Sequence, residues 1–178
     1  MTYASNITQN YLNECFFYNE KTGDLIKKSR PLSHFKSESL MKSWNAQNAG
    51  KKAGGVKKNP DGYKYISVSV DNKNYIASHI IWVLKTGKYP EVTIDHKDRN
   101  SLNNSWENLR LANHSNQANN RKGKKNWKGV FKQKGRYRSR IKVNKKNISL
   151  GIFDCPAAAS FAYQIAADIH FGEFARAF

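Results

Sequence analysis

Asp95 and His96 stand side by side, and Asn108 follows twelve residues after the histidine. Asn113-His114-Ser115-Asn116-Gln117 then adds a cluster of amides. These residue types suit hydrolysis of a phosphodiester. A neutral imidazole can take the proton from an attacking water. A hard divalent cation can neutralise the phosphate and the leaving oxygen. Magnesium prefers oxygen donors and keeps several waters, so one carboxylate and one amide oxygen suffice to hold it. Asp95 offers the carboxylate, and Asn116, Gln117 or a neighbour offers the amide. Asn108 is spaced to bond across two strands and hold His96 in a useful tautomer.

The elements that must carry these groups can be read around them. Pro90 opens an extended segment, Val92-Thr93-Ile94, that ends at Asp95-His96. A polar loop over 97–104 follows, with Asp98 as its cap rather than a metal ligand. Residues 106–111 read as a returning strand, and Asn113 caps a short polar helix to about Arg121. Strand, loop, strand and helix in that order bring His96 and a helix amide to one pocket. Upstream, Ser78 reads as the cap of a helix over 79–85 that Gly87 ends. Ile80, Ile81, Val83 and Leu84 would bury that helix, with Trp82 adding area, and His79 reads as a supporting histidine. Phe16-Phe17-Tyr18 and Leu25-Ile26 flank a Gly-containing turn and predict a hairpin. A second hairpin turns at Asp71-Asn72-Lys73. Residues 49–55, rich in Gly and Lys, read as a loop.

Charge decides what such a site meets. The 178 residues carry 31 Lys and Arg against 13 acids, a formal net charge of +18. So much like charge opposes compaction unless a polyanion screens it, and nucleic acid is the obvious one. No segment is both basic and broadly apolar in the manner of a membrane-surface helix, and no apolar run is long enough to span a bilayer. The polar N-terminus does not read as a secretory signal, which predicts a cytoplasmic protein. Cys15 and Cys155 are the only cysteines, without the paired spacing of a structural zinc site.

The charge is uneven. Residues 1–120 hold 17 basic and 10 acidic side chains (+7), whereas residues 121–178 hold 14 and 3 (+11). A basic, glycine-containing hinge near residues 121–125 marks a domain boundary. Beyond it, residues 136–143 alternate strictly. Period two puts Tyr137, Ser139, Ile141 and Val143 on one face and Arg136, Arg138, Arg140 and Lys142 on the other. Ile148, Leu150 and Ile152 predict a further strand. Cys155-Pro156 opens a helix whose expected apolar stripe is Ala158, Ala162, Ile165, Ala166 and Ile169, helped by Phe161. The arginine face can grip phosphate or pair bidentately with guanine.

Asp95-His96, Asn104 and Asn108-Leu109-Arg110, with the amides that follow, resemble the HNH endonuclease family in its metal-bound strand–strand–helix form. The 78–82 segment, Ser-His-Ile-Ile-Trp, is similar to the helix before that motif in phage and intron-encoded members, and the resemblance spans about 14–121. It implies His96 as general base, Asp95 as metal ligand and Asn108 as the orienting residue. It also implies one divalent ion, magnesium or manganese in its place. The third motif position, usually His or Asn, is Gln117 here, with Asn116 one residue earlier.

Residues 126–178 resemble the APETALA/ethylene-response-factor type of DNA-binding domain, through Trp127-Lys128-Gly129-Val130, the 136–143 strand, Leu150-Gly151-Ile152-Phe153 and Phe171-Gly172-Glu173-Phe174. Tyr137 stands where that family often has Trp. The resemblance implies a sheet entering the major groove, with Lys128 beside the arginine face.

The expectation is an α+β chain: N-terminal hairpins and a ββα-metal core (about 78–120) in a nuclease domain over 1–120, then a three-stranded antiparallel sheet on one helix over 121–178. Its expected function is site-preferring cleavage of double-stranded DNA. A single motif per chain favours a nick by a monomer, and a double-strand cut needs a dimer. The alternative is a DNA-binding protein whose nuclease site has decayed.

Overall fold

The computed structural model describes residues 7–113 and 127–175. The chain divides into two compact units, Met1–Leu111 and Ala112–Phe178. The architecture is mixed α+β, built from small sheets and helices.

The first unit begins with α1 (Gln9–Cys15), where the Thr8 hydroxyl accepts from the Tyr11 N–H and caps the helix. β1 (Phe16–Asn19) and β2 (Asp24–Lys27) pair antiparallel with Phe17 opposite Ile26, forming the expected first hairpin. Ser37 caps α2 (Glu38–Asn48). β3 (Gly55–Lys58), β4 (Lys64–Val70) and β5 (Lys73–Ile76) form a sheet in the order β3-β4-β5. Its second turn places Asp71 and Asn72 at φ 47° and 61°. Those left-handed angles suit a tight two-residue hairpin and favour short polar residues.

α3 (Ala77–Thr86) buries Ile80, Ile81 and Val83 and ends on Gly87 at φ 74°. β6 (Thr93–His96) and β7 (Leu109–Ala112) pair as a two-stranded sheet. The core joins Leu12, Phe16, Leu25, Val68, Val70, Ile81, Ile94 and Leu109, so the strands bearing the site pack on the same interior as the N-terminal hairpins.

Three expectations need correction here. Ser78 is not a cap: β5 runs directly into α3, Ile76 takes the extended cap position, and Ser78 is buried in the first turn. The returning strand starts at Leu109 because Trp106–Asn108 forms a 3-10 turn first. The segment read as a loop over 49–55 leads into β3, after Lys52 bridges to Ile26.

A single cation knits several of these pieces together. Arg30, 8% exposed, pairs with Asp71 at 2.7 Å and donates to His34 Nδ1 at 2.9 Å and to the Tyr11 hydroxyl. Its guanidinium lies 5.3–5.5 Å from the rings of Tyr11, Phe35 and Trp44.

In the second unit, β8 (Val130–Gln133), β9 (Arg136–Val143) and β10 (Lys146–Phe153) form an antiparallel sheet in the order β10-β9-β8. α4 (Pro156–Phe171) packs against it, with the Cys155 Sγ accepting from the Ala158 N–H at its start. β9 alternates as expected: Ser139 and Ile141 are buried, and Arg136, Arg138, Arg140 and Lys142 are exposed.

The helix differs from expectation. α4 buries Ala159, Ser160, Tyr163, Ala166 and Ala167, and leaves Phe161, Ile165 and Ile169 exposed at 68%, 46% and 74%. Small side chains and one tyrosine allow the close approach, so the face turned to the sheet is not the one with the bulkiest residues. Gly129 completes that approach. At φ 71°, a Cβ there would stand 2.1 Å from the Tyr163 ring and 2.6 Å from the Arg140 carbonyl oxygen. Gly129→Ala should therefore destabilise the protein by roughly 2–4 kcal/mol, from backbone strain and overpacking together. Denaturant unfolding checks this, and an unchanged midpoint would refute the fit.

Candidate active site

Pleating of β6 sends Ile94 and His96 into the interior and leaves Asp95 partly exposed. Immediately after His96 the chain turns tightly. Its carbonyl accepts from the Arg99 N–H at 2.9 Å, and Arg99 sits at φ 64°. The Lys97 N–H donates to the Asn108 carbonyl at 2.9 Å, tying the end of β6 to the start of β7.

The side chain on His96 is that of Asn104. Its Oδ1 lies 3.1 Å from His96 Nε2, and both residues are buried. An amide oxygen only accepts, so Nε2 is the donor in this contact, and a neutral ring bound this way carries its lone pair on Nδ1. The Asn104 Nδ2 is buried without a hydrogen-bond partner. Such an orphan costs free energy and marks a segment held in place by other contacts.

Asn108 has a different partner. Its Oδ1 accepts from the Asp98 N–H at 2.9 Å, and its Nδ2 donates to Asp98 Oδ1 at 2.9 Å and to the Asn103 carbonyl at 2.7 Å. The Asp98 carboxylate also accepts from the Asn100 N–H and from Asn103 Nδ2. Asn108 and Asp98 together fix the loop over 97–104, and Asp98 serves as the loop's cap. Burial alone would raise the Asp98 carboxyl. The donors from Asn100, Asn103 and Asn108, and the nearby His96, outweigh it and hold the group below the usual carboxylate range.

Asp95 is paired. Arg110 on β7 donates to its Oδ2 from Nε at 3.0 Å and from Nη2 at 2.9 Å. Arg110 is 8% exposed, so this ion pair is largely shielded from water. The donor chemistry beside His96 fits a hard cation, being a carboxylate with amides nearby. Among the described residues, however, no three His, Cys, Asp or Glu side chains gather in a metal-holding group. Asn116 and Gln117, the expected amide ligands, lie outside the described residues.

His79 sits elsewhere. Its Nδ1 lies 2.8 Å from the Tyr89 hydroxyl, on a cavity of about 170 Å³ lined by Leu12, Tyr75, Ile80 and Val83. Burial lowers its pKa, which favours the neutral ring. Its hydrogen bond and its edge-on ring contact are both with Tyr89, so these contacts tie it to that cavity rather than to His96.

In the second unit, the four basic side chains of β9 share one exposed face. Across the strands, Arg138 lies opposite Phe131 and Ile152, and Lys142 opposite Asn147. The Arg140 guanidinium stands 4.3 Å over the Phe131 ring, and Arg136 pairs with Asp154 at 2.7 Å on the surface. Lys128 precedes β8 and is half-buried.

Residues 75–119 match the HNH endonuclease family. The matched stretch runs from β5 through α3, β6, the 97–104 loop and β7. The match suggests nuclease activity on DNA for this part of the chain. No curated protein and no solved structure matches. Within the HNH segment, the roles of Asn104 and Arg110 escaped the sequence reading. One lies in an amide-rich loop with several equivalent candidates, and the other is an arginine among many.

The Asp98 geometry sets a pH dependence. A carboxyl held low in the fold adds stability that is complete above its unfolded value, about 4, and is lost as acid protonates it below that. Thermal melts of the wild-type protein and of Asp98→Asn should differ most near pH 6 and converge toward pH 3. A wild-type advantage that grew in acid would contradict the assignment.

Proposed function

We propose that the chain is a metal-dependent DNA endonuclease, with the HNH segment cutting and the C-terminal sheet binding the duplex. The observation that carries this is the buried His96, its Nε2 proton directed at Asn104, beside the Asp95 carboxylate inside the matched segment.

His96 Nδ1 takes a proton from water, the resulting hydroxide attacks the phosphorus, and the bond to the leaving sugar oxygen breaks. Asp95, with Asn116 or Gln117, would hold a divalent ion, magnesium or manganese. When bound, that ion supplies charge neutralisation at the phosphate and the leaving oxygen. Asn108 acts at one remove, by fixing the loop that carries Asn104. The ββα-metal reading of about 78–120 and the APETALA-like reading of 121–178 belong to this proposal, as does nicking by a monomer.

Arg136, Arg138, Arg140, Lys142 and Lys128 are the proposed DNA contacts. The face is basic, interleaved with Phe131 and Ile152, and α4 lies against the sheet without covering these side chains. Arg138 is the favoured anchor, because Arg136 already has an acidic neighbour in Asp154.

The Arg110–Asp95 ion pair favours a second reading. If Arg110 keeps the carboxylate that a cation needs, the chain holds DNA without cutting it.

Incubation with genomic DNA of the source and magnesium, followed by mapping of new strand ends, separates the two. New ends that disappear with chelator support the endonuclease; intact strands with tight binding support the second reading. His96→Ala should lower cleavage by at least about 10²-fold while leaving DNA affinity nearly unchanged. Equal cleavage by that variant would defeat the assignment of the base. Arg138→Ala should weaken binding and, if it grips a phosphate, reduce the salt slope by about one. An unchanged affinity and slope would remove Arg138 from the interface.

A further inference from the structure

The β1–β2 hairpin lies far from the HNH segment in sequence, yet it touches the residue that holds the histidine. The Tyr18 hydroxyl donates to the Asn104 carbonyl at 2.8 Å. Burial, with Glu20 nearby, pushes the Tyr18 hydroxyl up to about 12, so it keeps its proton and remains a donor. The Glu20 carbonyl accepts from the Trp106 N–H at 3.2 Å, and the Glu20 carboxylate pairs with Lys85 of α3 at 2.7 Å. Gly23, at φ 75°, presses on the same segment. A Cβ there would stand 2.4 Å from the Asn104 carbonyl carbon and 2.5 Å from the Ser105 nitrogen. Three residues of one hairpin, Tyr18, Glu20 and Gly23, thus seat on residues 104–106.

We infer that Tyr18 and Gly23 are positioning residues for the nuclease, acting on His96 through Asn104. The inference rests on the endonuclease reading. Asn104 is 2% exposed, and its Oδ1 meets His96 Nε2 at 3.1 Å. Its own Nδ2 finds no partner, so the amide does little to orient itself. Its backbone is fixed instead, at the carbonyl by Tyr18 and by close contact with Gly23. The hairpin thereby sets where the Asn104 side chain starts and which imidazole nitrogen keeps the proton. A shift of the Asn104 carbonyl would release the ring to its other tautomer and turn the proton-bearing nitrogen toward the water.

The test compares full-length wild-type, Tyr18→Phe, Asn104→Ala and the double variant on duplex DNA carrying the mapped cut site, with magnesium. Tyr18→Phe keeps the ring and deletes only the donor. Cleavage at saturating DNA should fall about 10- to 100-fold, with DNA affinity within about twofold of wild type. Asn104→Ala should fall comparably, and Tyr18→Phe should cost little more in its background, because the side chain it positions is gone. Wild-type cleavage by Tyr18→Phe, or a full multiplicative loss in the double variant, would overturn the inference.

Ring nitrogen NMR of His96 supplies a readout independent of cutting. The Nε2-protonated signature should dominate in wild type and give way to a tautomer mixture in Tyr18→Phe and in Gly23→Ala. An unchanged signature in both variants would overturn the inference even if Gly23→Ala were less stable. Absence of cutting by the wild-type protein would instead count against the endonuclease reading, and the NMR comparison would still judge the positioning role.

Discussion

One buried hydrogen bond organises the first unit. Asn104 Oδ1 meets His96 Nε2 away from water, where an unmatched polar atom is costly and a matched one is held firmly. Three sets of contacts converge on that bond. β6 supplies the imidazole from the core side of a pleated strand. Asn108 and Asp98 fix the loop from within. The N-terminal hairpin fixes it from outside, through Tyr18, Glu20 and Gly23. The apolar interior shared by Phe16, Leu25, Ile81, Ile94 and Leu109 keeps these elements at fixed spacing.

Charge is handled differently in the two units. In the first, cations are matched inside the fold: Arg30 by Asp71 and three aromatic rings, Arg110 by Asp95. A guanidinium beside the Asp95 carboxylate would compete with a metal ion for the same oxygen. Cation binding there must shift Arg110 or use the rest of the carboxylate. In the second unit, the β9 cations point outward as a row, with Asp154 answering one of them. Such a row is costly to assemble without a polyanion, which is the physical basis of the proposed DNA contact.

Elements with strong periodicity were legible in the sequence. β9 alternates because one face is buried, and α3 carries enough apolar residues that its core role was plain. The two hairpins announced themselves by turn chemistry, confirmed at Asp71-Asn72 by positive φ. α1, α2 and β3 were not legible, because they are short or polar; α2 buries no residue at all. The face of α4 was misjudged because close packing selected small side chains and Tyr163 over Phe161, Ile165 and Ile169. At the site, Asp95, His96 and Asn108 stood out by type and spacing. Which asparagine touches the histidine did not, since Asn103, Asn104 and Asn108 offer the same amide and only the loop's path separates them.

The proposed base is the imidazole at position 96, which takes the proton of the attacking water. Chemical rescue tests this role most directly. His96→Gly, assayed under single turnover on duplex DNA with magnesium, should be inactive alone and regain strand cleavage as imidazole is added to the buffer. Cleavage by His96→Gly at the wild-type rate without imidazole would contradict that role.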